Sequence, residues 1–428
     1  MVSAAGSDRP ALSRPLRCVN RMGVPIMSKI FKDESGIAVI WVAIGMSCIV
    51  GFAVLALDLS AIQTTKTQLQ NAADAAVLAA APELVPGGAS LQERRQNARQ
   101  MAIGIAALNR AFIDRTVGPV NIGAGDVTFP EENRVTVTTH RTVATGDALR
   151  TYFIQLLPPF GDGLADVTAD ATAEIMPAGG TRGFFPWMLP DRFQDNDGDG
   201  EWDDPDPFTD TNGNGDWDPG EPYVDENKDG VYTQGDFYDP ILTGYNTPAD
   251  AGVFLPVKQG NPQDALVAGF YYPVRFPPTG YYTGEAPLGG AAVYKDWIIN
   301  KSPYLVQIGD VLRVENGNMQ GPTKSGTRDI IDACPTSYYD SSDNTVKGHS
   351  HPESVPCPRI GAIAFFDPEN IQGGSDKLVT VVKISHWFIE SVGQPQNTVY
   401  GRLLEIVDPN AVPGLPSGGF IHLVRLVE

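Results

Sequence analysis

The sequence predicts an α+β protein: a single N-terminal transmembrane helix that continues into a helix-plus-antiparallel-sheet domain, then a tandem of acidic loops, then a β-rich C-terminal domain. Three observations predict it. Ile37 to Leu57 carries no charged residue. From Ala165 to Ile175 apolar and polar residues alternate without a break, the pattern of a half-buried strand. Three 15-residue segments, beginning at Asp195, Asp210 and Asp225, repeat one order of acidic, glycine and aromatic residues.

The chain has 428 residues, a length that suits two or three domains. The expected divisions are a cytoplasmic tail at 1–36, the membrane helix at 37–57, an α+β domain at 58–177, the loop repeats at 178–248 and a β-rich domain at 249–428. Gly (45) and Pro (35) are abundant, which favours many turns. The net charge of −20 is local: residues 195–239 hold 16 acidic residues against one lysine. The remainder is nearly balanced, so no basic face for nucleic acid is indicated.

The apolar run comes first in the chain. Its 21 residues, as a helix, span roughly 30 Å, enough for a hydrocarbon core. Trp41 sits near one end and Asp58 stops the run. Arg9, Arg14, Arg17, Arg21, Lys29 and Lys32 precede it, whereas the next basic residues are Lys66 and Arg94. That bias places the N-terminus in the cytoplasm and the rest outside it. A cleaved signal peptide is the competing reading, but the run exceeds the usual apolar region and no small-x-small site follows directly. Met27 offers an alternative start.

The helix is expected to continue through Leu69 and Ala72 to Ala81, ended by Pro82 and the turn Pro86-Gly87-Gly88. Ser90 and Glu93 form a capping box for a second helix, whose apolar stripe is Met101, Ile105, Leu108 and Phe112. Arg134 to Val143 reads as a strand. A short helix, Asp147 to Leu157, leads to the alternating strand, which places Ala165, Val167, Ala169, Ala171, Ala173 and Ile175 on one face.

The segment GIAVIWVAIGMSCIVGFAVLALDLSAIQTTKTQLQNAADAAVLAAA resembles the N-terminal segment of TadE/TadG-like proteins, bacterial membrane proteins associated with tight-adherence (Flp-type) pilus assembly. LQNAADAA, Leu69 to Ala76, is its most specific part. The strand VTVTTHRTV, the helix ending FIQLL and the strand VTADATAEI match the usual continuation, so the resemblance covers Lys32 to Met176. Gly309 to Thr323 and Ile384 to Val392 show a weaker resemblance to longer members. Related pseudopilins are cut after a glycine and carry Glu five residues on. Here Trp41 stands at that place after Gly36, which does not match the processing pattern. Some relatives carry a metal-binding Asp-x-Ser-x-Ser. Asp58-Leu59-Ser60-Ala61-Ile62 lacks the second serine, and no such domain is read here.

The acidic repeat has the order of EF-hand-type calcium loops. Positions 1, 3 and 5 carry oxygen ligands: Asp195, Asp197 and Asp199; Asp210, Asn212 and Asn214; Asp225, Asn227 and Asp229. Position 9 is Asp203, Asp218 or Thr233, and position 12 is Asp206, Glu221 or Asp236. A glycine at position 6 permits the turn around a cation. Three residues between loops cannot hold flanking helices, so these are bare loops of thrombospondin or dockerin style. Trp202, Trp217, Tyr232, Phe208, Tyr223 and Tyr238 recur in register and are expected to pack between loops. The competing reading is an acidic solvated linker. The expected cofactor is Ca2+, in a structural role.

Beyond Ala249 candidate strands are Ala265 to Phe276, Tyr304 to Val314, Ile360 to Phe366, Leu378 to Ile389, Thr398 to Val407 and Phe420 to Val427. Cys334 and Cys357 fall in the export compartment and are expected to form a disulfide. Zinc is one rival, because His349 and His351 lie between them, and two unpaired thiols are the other. Gly317 to Gly326 lacks the lysine of a phosphate loop, since Thr327 follows the second glycine. No Ser/His/Asp or Cys/His arrangement is legible. The functional expectation is a non-enzymatic, single-pass inner-membrane protein with a periplasmic or surface-exposed region. Its role would be scaffolding or adhesion in Flp-type pilus assembly, through contacts with the bilayer and with other pilus or envelope proteins. No nucleic acid or small-molecule substrate is indicated. The alternative is a cell-envelope hydrolase with a calcium-stabilised module.

Overall fold

The computed structural model describes residues 34–86, 89–113, 116–152, 163–225, 230–260, 266–267, 269–349, 357–374, 376–394, 397–414 and 419–427. The expected tail 1–33, Gly87-Gly88, the FIQLL segment, Asn227, Asp229 and His351 therefore lie outside the described residues. Within this set the chain is α+β: one long apolar N-terminal helix followed by a β-rich remainder.

Helix α1 runs from Glu34 to Ala80. Its most apolar stretch is wholly unburied. Val39, Trp41, Ile49 and Phe52 all stand exposed. Apolar surface on this scale is unfavourable in water and satisfied by lipid tails, and the helix is long enough to cross a bilayer. Two compact units divide the chain at this helix: residues 1–61 with 151–163, and residues 62–150 with 164–428.

In the larger unit, the later turns of α1 bury Leu69, Ala72, Ala73, Ala76, Val77 and Ala80. They meet a mainly antiparallel sheet whose order is Ile406–Val407, Ile421–Val427, Val167–Thr181, Arg134–Arg141 and Val127–Thr128. Thr139 Oγ1 donates to the Leu69 carbonyl (2.9 Å), and Gln70 Nε2 to that of Asp170 (2.9 Å). The alternating strand behaves as its pattern dictates: Val167, Ala169, Ala171, Ala173 and Ile175 are buried and the residues between are not. Alanine on both the helix and the sheet allows close approach. Val167–Thr181 runs through the division expected at residue 177, and the last strand, Ile421–Val427, returns to pair with it.

Helix α2, Leu91–Leu108, has the expected capping box: Glu93 N donates to Ser90 Oγ (3.3 Å) and Ser90 N to Glu93 Oε2 (3.0 Å). Its apolar stripe is a correction. Ala98, Ala102 and Ala106 form the buried face, whereas Leu108 is 78% exposed and Met101 39%. Phe112 belongs to a strand, Arg110–Ile113. Small side chains win the interior because they bring the helix closer to its neighbours. The helix expected from Asp147 is also corrected where it is described: Leu149–Arg150 is a strand paired with Leu164–Ala165.

The second large sheet has the order Val311–Val314, Phe270–Arg275, Phe184–Pro190, Ile360–Gln372, Leu378–Gly393, Thr398–Leu404 and Phe254–Gln259. Its hydrogen-bonded path closes, because Phe270–Arg275 also pairs in parallel with Phe254–Gln259. Phe184–Pro190 is buried at every position, with Phe184 and Met188 in one core and Phe185, Trp187 and Leu189 in another. Such a strand shows no alternation, and its sequence, FFPWMLP, gave no period to detect. Helices α3, Ala291–Asn300, and α4, Gln320–Ala333, cover the second core through Tyr294, Ile298, Met319 and Ile330. The expected strand Tyr304 to Val314 is two short strands split at Gly309, whose φ of +94° turns the chain.

Among the described residues, one charge pair lies wholly inside. Lys383 and Asp191 are each 0% exposed, with Nζ and Oδ2 2.8 Å apart. Lys383 also donates to the carbonyls of Pro240 (2.9 Å) and Tyr245 (2.5 Å), while Asp191 accepts from the Tyr238 hydroxyl (3.1 Å) and the Tyr245 amide (2.8 Å). Removing one partner leaves a buried, uncompensated charge. Asp191→Ala is therefore expected to lower unfolding stability by about 3–5 kcal/mol. Adding Lys383→Met should recover most of that loss, as measured by urea denaturation of the chain in detergent.

Candidate functional site: the acidic loop repeat

The acidic repeat leaves the β domain after Arg192 and returns at Asp239, folding back on itself as a ribbon. Gln194 and Phe237 exchange both backbone hydrogen bonds (2.8 and 3.1 Å). Further along, Asp236 N donates to Asp203 O (2.9 Å), Asp206 N to Thr233 O (3.0 Å) and Thr209 N to Pro222 O (2.8 Å). The first and third loops thus lie side by side, and the second forms the tip.

Each loop wraps its first aspartate. Asp195 accepts from the amides of Gly198 (2.6 Å) and Gly200 (2.9 Å), Asp210 from Gly213 (2.5 Å) and Gly215 (2.8 Å), and Asp225 from Gly230 (2.9 Å). The position-6 glycines Gly200, Gly215 and Gly230 have φ of +83°, +88° and +83°, a region that β-branched residues scarcely enter.

The position-12 carboxylates are where the tertiary structure departs from a loop-by-loop reading. Glu221 closes its own loop, accepting from Thr211 N (2.8 Å) and Asp218 N (3.0 Å), positions 2 and 9. In the first loop those two amides, of Asn196 and Asp203, donate to Asp236 of the third segment (2.9 and 3.2 Å). Reciprocally, the position-9 amide of Thr233 donates to Asp206 of the first (3.0 Å). The first and third loops have exchanged their closing carboxylates. Nothing in the spacing reveals this, because both arrangements have identical sequences.

Carboxylate oxygens of Asp195, Asp197 and Asp199 lie within 4.8 Å of one another. Crowding marks the neighbouring groups. Burial, then the charges of Asp199, Asp197, Asp236 and Glu201, pushes the Asp203 carboxyl up to about 6. Burial also raises that of Asp236. By contrast, backbone N–H groups, those of Gly198 and Gly215 foremost, hold Asp195 and Asp210 below the ordinary carboxylate range. Hard oxygen donors, preset amides and mutually repelling carboxylates fit a divalent cation of the calcium type.

The aromatic residues divide. Trp217 stacks on Tyr232 (4.3 Å between centroids), and Tyr223 and Phe208 meet Tyr232 edge-on (5.6 and 5.8 Å), a small core within the repeat. Trp202 instead meets Phe193 (5.2 Å) and the main hydrophobic core, and Tyr238 reaches Asp191. Sequence reasoning missed Asp191 and Lys383; the signal was a lone lysine inside the apolar run LVTVVKISHWFI.

The expected disulfide is not formed. Cys334 and Cys357 are buried with their sulfurs 3.5 Å apart, and the Ser337 hydroxyl bonds both, at 2.7 and 3.4 Å. His140, His386 and His422 lie near carboxylates of Asp126 (3.1 Å), Asp408 (3.8 Å) and Glu405 (3.0 Å).

Residues 36–83 match the family model described as "Putative Flp pilus-assembly TadE/G-like". This segment is TadE/G-like, and on a helix of membrane-crossing length it points to a Flp pilus-assembly membrane protein. No curated protein and no solved structure matches the chain.

The raised Asp203 carboxyl sets a pH dependence. Its folded value lies above the ordinary 3.8, so its contribution to stability is present at low pH and is lost as pH rises through about 6. Without divalent cations, protease cleavage within residues 195–239 should increase between pH 5 and pH 7. Asp203→Asn should flatten that rise.

Proposed function

We propose that this chain is a single-pass inner-membrane protein of Flp-type pilus assembly, with a cytoplasmic N-terminus and a periplasmic region that acts as a calcium-stiffened scaffold. The observation that carries the reading is the TadE/G-like match at residues 36–83, laid on a helix whose apolar half is exposed. The basic residues before Ile37 support the orientation. The family is a pilus-assembly family, so the action proposed is protein–protein contact with other pilus or envelope proteins rather than catalysis.

Calcium enters this reading as a structural ion. Asp195, Asp197 and Asp199 with Asp236 would hold one ion; Asp210, Asn212, Asn214 and Glu221 a second; Asp225 and Asp206, with Asn227 and Asp229, a third. A cation neutralises the repulsion that raises Asp203 and Asp236. Because Asp206 and Asp236 are exchanged, filling the first loop orders the third, and those two sites should load cooperatively. The repeat depends on the β domain for Trp202 and Tyr238, so binding is best measured on the chain in detergent.

Two measurements test the proposal. Protease added to spheroplasts should digest the region after Asp58 and spare the N-terminal tail; a protected C-terminal region would refute the topology. In calorimetry, calcium should bind with dissociation constants of roughly 10⁻⁴ to 10⁻³ M, with magnesium much weaker. Asp236→Asn should weaken the site read by Trp202 fluorescence about tenfold, as a charged ligand is lost, and leave the Glu221-closed tip intact. Heat from calcium that is unchanged by Asp236→Asn would contradict the exchanged arrangement.

A further inference from the structure

We propose that Cys334, His349 and Cys357 form a second metal site, distinct from the acidic repeat, for a zinc-type cation. One ligand atom from each residue falls within 4.8 Å of the others. The sulfur separation is that of unbonded sulfurs and suits two thiolates on one metal. A disulfide holds its sulfurs about 2.05 Å apart. Two thiolates on one tetrahedral zinc stand about 3.8 Å apart, given Zn–S bonds of about 2.3 Å. The 3.5 Å found here is close to the second value. Two sulfurs and an imidazole nitrogen are a donor set that selects zinc over calcium or magnesium.

The surroundings are built to hold these residues. Cys334 caps α4, and a short hairpin, Tyr338–Asp340 with Thr345–Lys347, leads the chain back to His349. Thr336 Oγ1 donates to the Gly348 carbonyl (2.5 Å), fixing the approach to His349. The buried Arg359 guanidinium donates to the carbonyls of Cys334 (3.0 Å) and Ser337 (2.8 Å), tying the two cysteine-bearing segments together. His349 Nδ1 lies 3.5 Å from Ser337 Oγ, on the open side of the cluster. The Ser337 hydroxyl, which bonds both sulfurs, would turn to another rotamer to admit the ion. Zinc takes both sulfurs as thiolates, so loading displaces protons and weakens as pH falls.

The test uses the full chain in detergent, reduced and stripped of metal, titrated with cobalt(II). Carboxylate sites give no sulfur-to-cobalt charge-transfer absorption, so that band reports this site even if the acidic repeat also binds cobalt. One equivalent should develop the band, and zinc should bleach it. Cys334→Ser and Cys357→Ser should abolish it. His349→Ala, at an exposed position that leaves the fold intact, should weaken cobalt binding by at least about tenfold, the loss seen even for outer-shell partners. Absence of the band in wild-type protein whose two thiols react with a thiol reagent would overturn the site. So would a Cys334–Cys357 disulfide in chain purified without reductant, if reduction then gives no band.

Discussion

The buried pair of Lys383 and Asp191 is the constraint around which the β-rich region is arranged. Two charges removed from water are tolerable only if every donor and acceptor is satisfied. Here the satisfying groups come from the far end of the acidic repeat: the Pro240 and Tyr245 carbonyls, the Tyr245 amide and the Tyr238 hydroxyl. Gly244 passes so close that an added Cβ would collide with Asp191 Oδ2. Next door, Arg192 forms a two-pronged pair with Asp250 (2.7 and 3.1 Å) and lies over the Tyr245 ring. The entry and exit of the repeat are thus clasped at one point on the sheet.

That clasp determines what the repeat can become. With its ends held together, a segment carrying 16 acidic residues must fold back as a ribbon. Folding back places the first and third loops beside each other, and their closing carboxylates cross over. The electrostatic cost gathers at Asp203 and Asp236, between the crossed loops. The aromatic residues follow the same geometry: those near the tip pack on one another, and those near the clasp pack on the β domain.

Legibility in the sequence tracked how local the cause was. The alternating strand, the capping box of Ser90 and Glu93, and the glycine positions of the loops are set by interactions within a few residues, and the structure has them as read. The stripe on α2 was misassigned because periodicity finds an apolar face without saying how closely a neighbour approaches. Alanine takes the interior there, Ile105 is only half-buried, and Met101 and Leu108 remain on the surface. Phe184–Pro190 was invisible because a strand with cores on both faces has no polar side to give it a period.

The sequence by itself determined the apolar helix long enough to cross a membrane, the TadE/G-like segment and the oxygen-bearing side chains of the loops, since each depends only on which residues stand at which spacing. Tertiary structure decided which carboxylate closes which loop and which charges meet in the core. It also brought the last strand back to pair with one some 250 residues earlier. It set two cysteines beside a histidine instead of joining them. These outcomes depend on long-range pairings, which spacing along one chain does not encode, because the same residues at the same intervals can meet in more than one arrangement.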